Sequence, residues 1–530
     1  MNADLRIRML AEASRTTDRT IRVICFISGS AFHHASALRK LAGQTAIYGL
    51  SSIVARFLNF LLVPLYTSKF VFEPAEYGVV TSLYAWTALL NVVLTFGMET
   101  TYFRFASKDH VHKNPDGGKA LYATATYGLL FPALVFLLLG GVFSSNIAAG
   151  LGFGAYASSV LMLVAIIGID AITTIPMARL RQQGRPWRYA AINMISVAVN
   201  VGLSVFFILY CMKRYNMGQS NALIDAVYDP SFGVGYVFAI NLVATAVKLL
   251  VLLPSWPSFK GFNKTLLRAM LVFGAPLMIA GLAGMVNETA DRVILKYLLP
   301  ADIADSEIGI YGACYKLAVL ITLFIQAFRM GAEPFFFSHA KEKDSKETFA
   351  RIMNIFVAVC MTAFLVVMLF LDLFKWFIPN PAYHEGLRVV PILMLANVFL
   401  GIYYNQSVWY KLTDRTRVGS TISIIGAVIT IVLLFALIPY LGYMGAAWTT
   451  LICYTSMAAI SYVWGQKHYP IPYNVTRVLL YMAGAVVLWW GAEQLLLEGV
   501  ARYVLRGGVL VAFVVVIGRV EWPAIRRTSA

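Results

Sequence analysis

Cysteine is scarce in this chain: five in 530 residues, at Cys25, Cys211, Cys314, Cys360 and Cys453, far apart and with no CxxC spacing. That excludes a disulfide framework and a zinc ribbon, and leaves the thiols as packing residues. Histidine is equally thin, with seven residues whose close pairs are His33 with His34 and His110 with His112. A metal site needs three or four ligands, so no metal is expected. Charged residues make up only 13% of the chain, too few for a soluble or a disordered protein of this length. There is no nucleophile elbow, P-loop, HExxH or strand-borne GxGxxG, so neither an enzyme nor a resident cofactor is expected. Nor does any hydrophilic stretch reach the length of a domain. The longest loop between apolar runs, about 212–232, is too short for a core of its own.

What the chain has instead is apolar surface, with 59% hydrophobic residues. Runs of about 20 such residues read as membrane-spanning helices. About fourteen are expected, giving an all-α polytopic membrane protein. The expected divisions are a basic cytoplasmic tail at 1–42, six helices in 43–254, six in 266–464, two more in 477–518 and a second tail at 519–530. The formal net charge is +17, but the lysines and arginines are scattered through short loops rather than clustered, so nucleic acid is excluded as a partner. With the N-terminus inside, 30 of the 43 basic residues fall in cytoplasmic segments and 9 in outside loops. The positive-inside rule then sets both termini in the cytoplasm.

Residues 79–105 carry a polar stripe within an apolar helix: Tyr84, Thr87, Asn91, Thr95 and Glu99 recur at steps of three and four. A helix facing lipid all round would carry no such stripe, because an unpaired polar group in hydrocarbon is costly. A second stripe runs through Tyr311, Tyr315, Thr322, Gln326, Arg329 and Glu333. Each ends at a glutamate near an aromatic run, and each is preceded by a glycine, Gly78 or Gly309. This is a duplicated helix, and paired repeats around a midplane site are a common plan of membrane transporters.

Charges inside spans are functional candidates. Arg56 falls near the middle of the first span, sharing a face with Ser52 and Asn59, and two roles stay open for it: binding an anion, or pairing with Asp170 in the fourth span. Asn287, Glu288, Asp291 and Arg292 gather at the end of the seventh span, while Lys316, Arg329 and Glu333 lie in the eighth. Lys248 and Arg104 are expected to reach the cytoplasmic interface. The basic loop from Arg179 to Arg188 is topogenic and suited to an anionic headgroup. Tyr403, Tyr404 and Trp409, beside Asn397, Asn405 and Gln406, could line a path for sugars, with an interfacial belt the expected place of Trp409 and Tyr410. For ion coupling the carboxylates to consider are Asp170 first, then Glu288, Asp291, Glu99 and Glu333.

Several motifs resemble those of bacterial polysaccharide flippases, members of the multidrug, oligosaccharidyl-lipid and polysaccharide exporter superfamily. They are Tyr48 to Ser52 with Pro64, Glu76-Tyr77-Gly78, Gly97-Met98-Glu99 before Phe103 to Phe105, Ala178 to Arg181, Arg188 to Ala190, Asp291 to Leu295 and Gly309 to Gly312. The resemblance implies two pseudo-symmetric six-helix lobes around a central cavity, with two added C-terminal helices as in lipid II flippases. It implies alternating access that moves undecaprenyl-diphosphate-linked oligosaccharide outward across the bacterial inner membrane, alongside polymerase and glycosyltransferases of the same pathway. By resemblance, cavity cations take the diphosphate. That points to Arg56, Arg292 and Arg329, with Asn59, Asn91 and Lys316 as further substrate contacts, and with a proton or sodium gradient open as the driving force. The rival functions are a cation-coupled drug antiporter of the same superfamily and a membrane-embedded glycan polymerase or acyltransferase.

Overall fold

A computed structural model describes residues 49, 51, 53–107, 115–340, 342, 344–495 and 498–528. The tail at 1–42, Cys25, Ser52 and the two histidine pairs lie outside these residues. Among the described residues the chain is helical, with no strand. The main helices are α1 (Ile53–Tyr66), α2 (Pro74–Ala106), α3 (Gly117–Val142), α4 (Gly154–Gln182), α5 (Pro186–Asn216), α6 (Gly235–Ser255) and α7 (Lys264–Leu298). They continue with α8 (Ala301–His339), α9 (Ser345–Leu369), α10 (Pro381–Leu412), α11 (Thr416–Leu441), α13 (Val475–Gln494) and α14 (Gly499–Glu521). Between α11 and α13 runs α12 (Tyr443–His468).

Twelve of the described helices are long and apolar enough to cross a membrane. The other two expected spans coincide with α1, whose described part is short, and with α12, which is 26 residues long but carries Thr449, Thr450, Thr455, Ser456 and Ser461 among its apolar residues. The helices also overrun the expected limits. α7 begins at Lys264 and α8 runs from Ala301 to His339, because their polar end turns remain helical beyond the apolar run that marks them in sequence.

In the first half α4 packs on α2, α3 and α6, and α5 on α6; in the second, α10 packs on α8 and α12, and α11 on α7 and α12. Helices α13 and α14 lie on α9. Ion pairs fasten them there: Arg506 bridges Asp372 at 2.9 Å and Glu493 at 2.6 Å, and Arg477 reaches Glu521 at 3.3 Å. The described cysteines are buried and unbridged, as packing residues.

The halves meet chiefly through α2, which packs against both α7 and α8. A capping box between Glu73 and Glu76 and a proline at its first turn start α2. It breaks where Phe96 and Gly97 both take left-handed backbone, φ +53° and +62°. At its start the two repeat-related glycines cross: a Cβ on Gly78 would lie 1.7 Å from the Asp305 carbonyl oxygen, and one on Gly309 1.8 Å from that of Pro74. Only glycine allows backbones so close. The same end is held by the Tyr383 hydroxyl donating to the Phe72 carbonyl at 2.9 Å, by the Asn380 amide donating to the Thr67 carbonyl at 3.0 Å, and by Phe60 stacked on Phe377 at 4.3 Å. The halves are therefore sealed together at the end that carries residues 67–78 and 377–383.

Candidate functional site

The polar stripe of α2 is largely spoken for within the first half. Asn241 Nδ2 donates to the Tyr84 hydroxyl at 2.7 Å, and the Thr87 and Thr95 hydroxyls turn back to Leu83 and Asn91 carbonyls at 3.0 and 2.7 Å. Asn91 itself is half-buried. Glu99 pairs with Arg181 from the basic loop after α4.

Asp170 does not pair with Arg56. Its partner is Lys248 on α6, Nζ to Oδ1 at 2.6 Å, because the packing of α4 on α6 brings the two side chains together. Removing one partner leaves an orphaned charge. Asp170→Ala or Lys248→Ala should each lower stability by on the order of 3 kcal/mol, and the double variant should recover most of it. Thermal melting of the detergent-purified variants measures this, and additive losses would show that the pair carries no coupling.

A second ion pair repeats the design of Glu99 with Arg181. In the second half Glu333 at the end of α8 accepts from Lys411 at the end of α10, at 2.7 Å, and pairs with Arg329 at 3.6 Å. Arg181 stands three residues before Gly184, Lys411 three before Asp414, and both following residues are left-handed, φ +64° and +56°. After each turn the next arginine amide closes the same five-residue ring, Arg185 to the Leu180 carbonyl at 3.0 Å and Arg415 to that of Tyr410 at 2.8 Å. The duplication thus extends to the loops and to their acid-to-base pairs. Sequence reasoning found both glutamates and missed both partners, although the shared spacing of a basic residue before a turn was there to be read.

At the end of α7 the charges are interior. Asp291 accepts from the Tyr311 hydroxyl at 2.6 Å and from the Arg292 amide at 2.8 Å. Arg292, 8% exposed, donates to the Glu288 carbonyl at 3.0 Å and lies over the Tyr315 ring at 4.1 Å. Both are therefore used within the fold, which weakens the expectation that Arg292 meets a ligand. Lys316 is half-buried nearby, within electrostatic reach of Arg292 and Glu288.

The groups that face open space are different ones. Arg56 and Asn59 are exposed on α1, and Arg56 has no ion-pair partner among the described residues. Arg329, 38% exposed, lies over the Tyr404 ring at 4.0 Å. Glu288 is exposed and lines a pocket inside the second half, between α7, α8, α10, α11 and α12, that holds about 620 Å³ of open space. Tyr404 and Arg329 form part of its wall. Of the aromatic and amide candidates on α10, Tyr403 and Tyr404 line this pocket. Trp409 is buried instead, donating to Ser461 at 3.4 Å, and Asn397 donates to the Ala318 carbonyl at 3.3 Å. Among the described residues no group of three or more histidine, cysteine, aspartate or glutamate side chains could hold a metal.

Helices long and apolar enough to cross a membrane, in two halves with repeat-related contacts joined at one end, define a polytopic all-α membrane protein. Solved structures share the fold. The chain superposes on "Lipid II flippase MurJ, inward closed conformation" with a TM-score of 0.69 at 12% identity, covering 89% of this chain and 98% of that one. It also matches a multidrug resistance MATE family transporter of the MOP superfamily, inward-facing, with a TM-score of 0.62 at 12% identity and coverage of 83% and 99%. The chain belongs to the polysaccharide biosynthesis protein family, whose model matches residues 41–338. A curated relative, "Lsg locus putative protein 1" of Haemophilus influenzae, is 21% identical over 438 residues, 80% of this chain and 99% of that protein.

Proposed function

We propose that this protein is an alternating-access flippase that moves undecaprenyl-diphosphate-linked oligosaccharide from the cytoplasmic to the periplasmic leaflet of a bacterial inner membrane, upstream of a glycan polymerase. The observation that carries this reading is a pair of guanidinium groups left open by the fold: Arg56, exposed on α1 with no ion-pair partner among the described residues, and Arg329, 38% exposed in the wall of the pocket. A diphosphate headgroup cannot cross about 30 Å of hydrocarbon without a hydrated, positively lined path. Guanidinium groups supply one, since they stay charged when desolvated and grip phosphate oxygens through paired hydrogen bonds. Cationic drugs favour acidic cavities, and exposed Arg56 and Arg329 oppose them.

Ion coupling, if present, has one open carboxylate. Of the five candidates Asp170, Glu99, Asp291 and Glu333 already hold partners, whereas the Glu288 carboxylate has none among the described residues. Proteoliposomes carrying fluorescent undecaprenyl-diphosphate oligosaccharide test both points. Protein-dependent loss of lipid from one leaflet is expected, accelerated by an inward proton or sodium gradient and unresponsive to it in Glu288→Gln. Absence of flipping would overturn the function; flipping indifferent to both gradients would remove the coupling.

Both termini are placed in the cytoplasm, which puts the sealed end of the molecule at the periplasmic face. In a background with serine for every native cysteine, new cysteines at Gln183 and Lys346 should be shielded from an impermeant thiol reagent in intact cells. One at Gln219 should be labelled. The opposite pattern would invert the orientation.

A further inference from the structure

We infer that the pocket of the second lobe is the subsite for the sugar ring joined to the diphosphate, and that it takes an uncharged, hydroxyl-rich sugar; this rests on the flippase reading above. The pocket is open on one side and lies between α7, α8, α10, α11 and α12. Its wall includes Tyr403, Tyr404, Tyr410 and Tyr454; Tyr403, Tyr410 and Tyr454 are at most 8% exposed and the Tyr404 ring is covered by the Arg329 guanidinium at 4.0 Å, so the wall meets a ligand mainly through polar groups.

At the pocket and the recess beside it, two polar side chains have no side-chain partner among the described residues. Glu288 is exposed into the pocket with no ion pair or hydrogen bond to its carboxylate among those residues, a pair of acceptors suited to two neighbouring sugar hydroxyls. Asn405 is 2% exposed, and neither its Nδ2 nor its Oδ1 has a hydrogen-bond partner. It lines a smaller recess that shares Arg329, Tyr404, Ser407 and Lys411 with the pocket. A buried amide left unpaired is costly, and a hydroxyl or a water reaching it on binding would relieve that cost. By contrast Asn287, also in the wall, is already saturated: it donates to the Ser423 carbonyl at 3.1 Å and accepts from Thr430 at 3.2 Å.

Position agrees with chemistry. The first sugar is bonded directly to a phosphate, so its ring must sit beside the diphosphate, and Arg329, proposed above as a diphosphate contact, itself lines the pocket. A free carboxylate at Glu288 disfavours an acidic sugar, and Arg329 with Lys411 disfavours a cationic one. A neutral ring with several hydroxyls suits both.

The test compares binding by native mass spectrometry of three defined lipids to the purified protein: undecaprenyl diphosphate bare, bearing one N-acetylglucosamine, or bearing one galactose. The native chain should bind at least one glycosylated lipid about tenfold more tightly than the bare one. Glu288→Ala should erase that preference while binding the bare lipid as well as or better than the native chain, since a negative charge near the diphosphate is gone. Glu288→Gln, which keeps one acceptor, should retain part of the preference, and Asn405→Leu should reduce it. Glu288 is exposed and unpartnered, so its replacement leaves the fold intact. If Glu288→Ala tightens all three lipids alike, or if the native chain binds bare and glycosylated lipids equally, the sugar subsite is wrong while the flippase reading stands. If the native chain binds none of the three, the flippase reading falls and takes the subsite with it.

Discussion

Arg56→Ala is expected to abolish export of lipid-linked glycan while leaving the amount of protein in the membrane unchanged. The diphosphate carries about two negative charges through the driest part of its path, where a fixed positive charge lowers the barrier most. Two charge-assisted hydrogen bonds from one guanidinium amount to about 3 kcal/mol, roughly a hundredfold in turnover at limiting substrate. Arg56→Lys keeps the charge but not the paired geometry and should retain a fraction of the activity. Because Asp170 has Lys248 as its partner, removing Arg56 orphans no buried acid, and adding Asp170→Ala should rescue nothing. Flipping in proteoliposomes and membrane abundance are the two readouts. Native rates in Arg56→Ala, or rescue by the second change, would leave Arg56 without a role in substrate passage.

Gly78→Val should cost nearly as much, through the conformational cycle rather than through binding. A β-carbon at residue 78 would overlap the Asp305 carbonyl oxygen, 1.7 Å away, and the obstacle is backbone, which cannot rotate aside. Overpacking of this kind costs about 3 kcal/mol, enough to bring a hundredfold preference for the sealed end close to parity. Spin labels at Lys69 and Lys375, on the two lobes at that end, should then report a longer, broader distance distribution, with transport greatly reduced. Gly309→Val, facing the Pro74 carbonyl at 1.8 Å, should do the same. An unchanged distribution would mean that the two glycines do not close the molecule.

Much of the architecture was written along the chain. Runs of apolar residues marked the helices, because a spanning segment must hide its backbone within itself and so declares itself locally. The recurrence of a polar stripe ending in Glu99 and Glu333 announced the duplication, and the glycines before each stripe turned out to be the crossing of α2 on α8. Arg56 stood out by depth alone, since a midplane arginine is rare enough to be noticed in one dimension.

Partnership was another matter. Asp170 finds Lys248 across 78 residues, and Glu333 finds Lys411 across the same interval, distances at which no periodicity speaks. Arg56 and Asp170 were the obvious pair by depth, and the packing of α4 on α6 decided otherwise. Arg292 read as a cavity charge because its helix face is polar, yet that face turns toward Tyr311 and Tyr315 and is used up there. Trp409 and Tyr404 are five residues apart on one helix, and only the placement of α12 puts the first in the interior, while the second reaches the pocket. The sequence by itself determined that the chain is built of apolar helices, where its polar stripe recurs and which charges are out of place in lipid, since each of these can be read along single helices. Which of those charges remain free for a ligand was decided only by tertiary structure, because an ion pair in a low-dielectric interior depends on the approach of two helices to within a few ångströms.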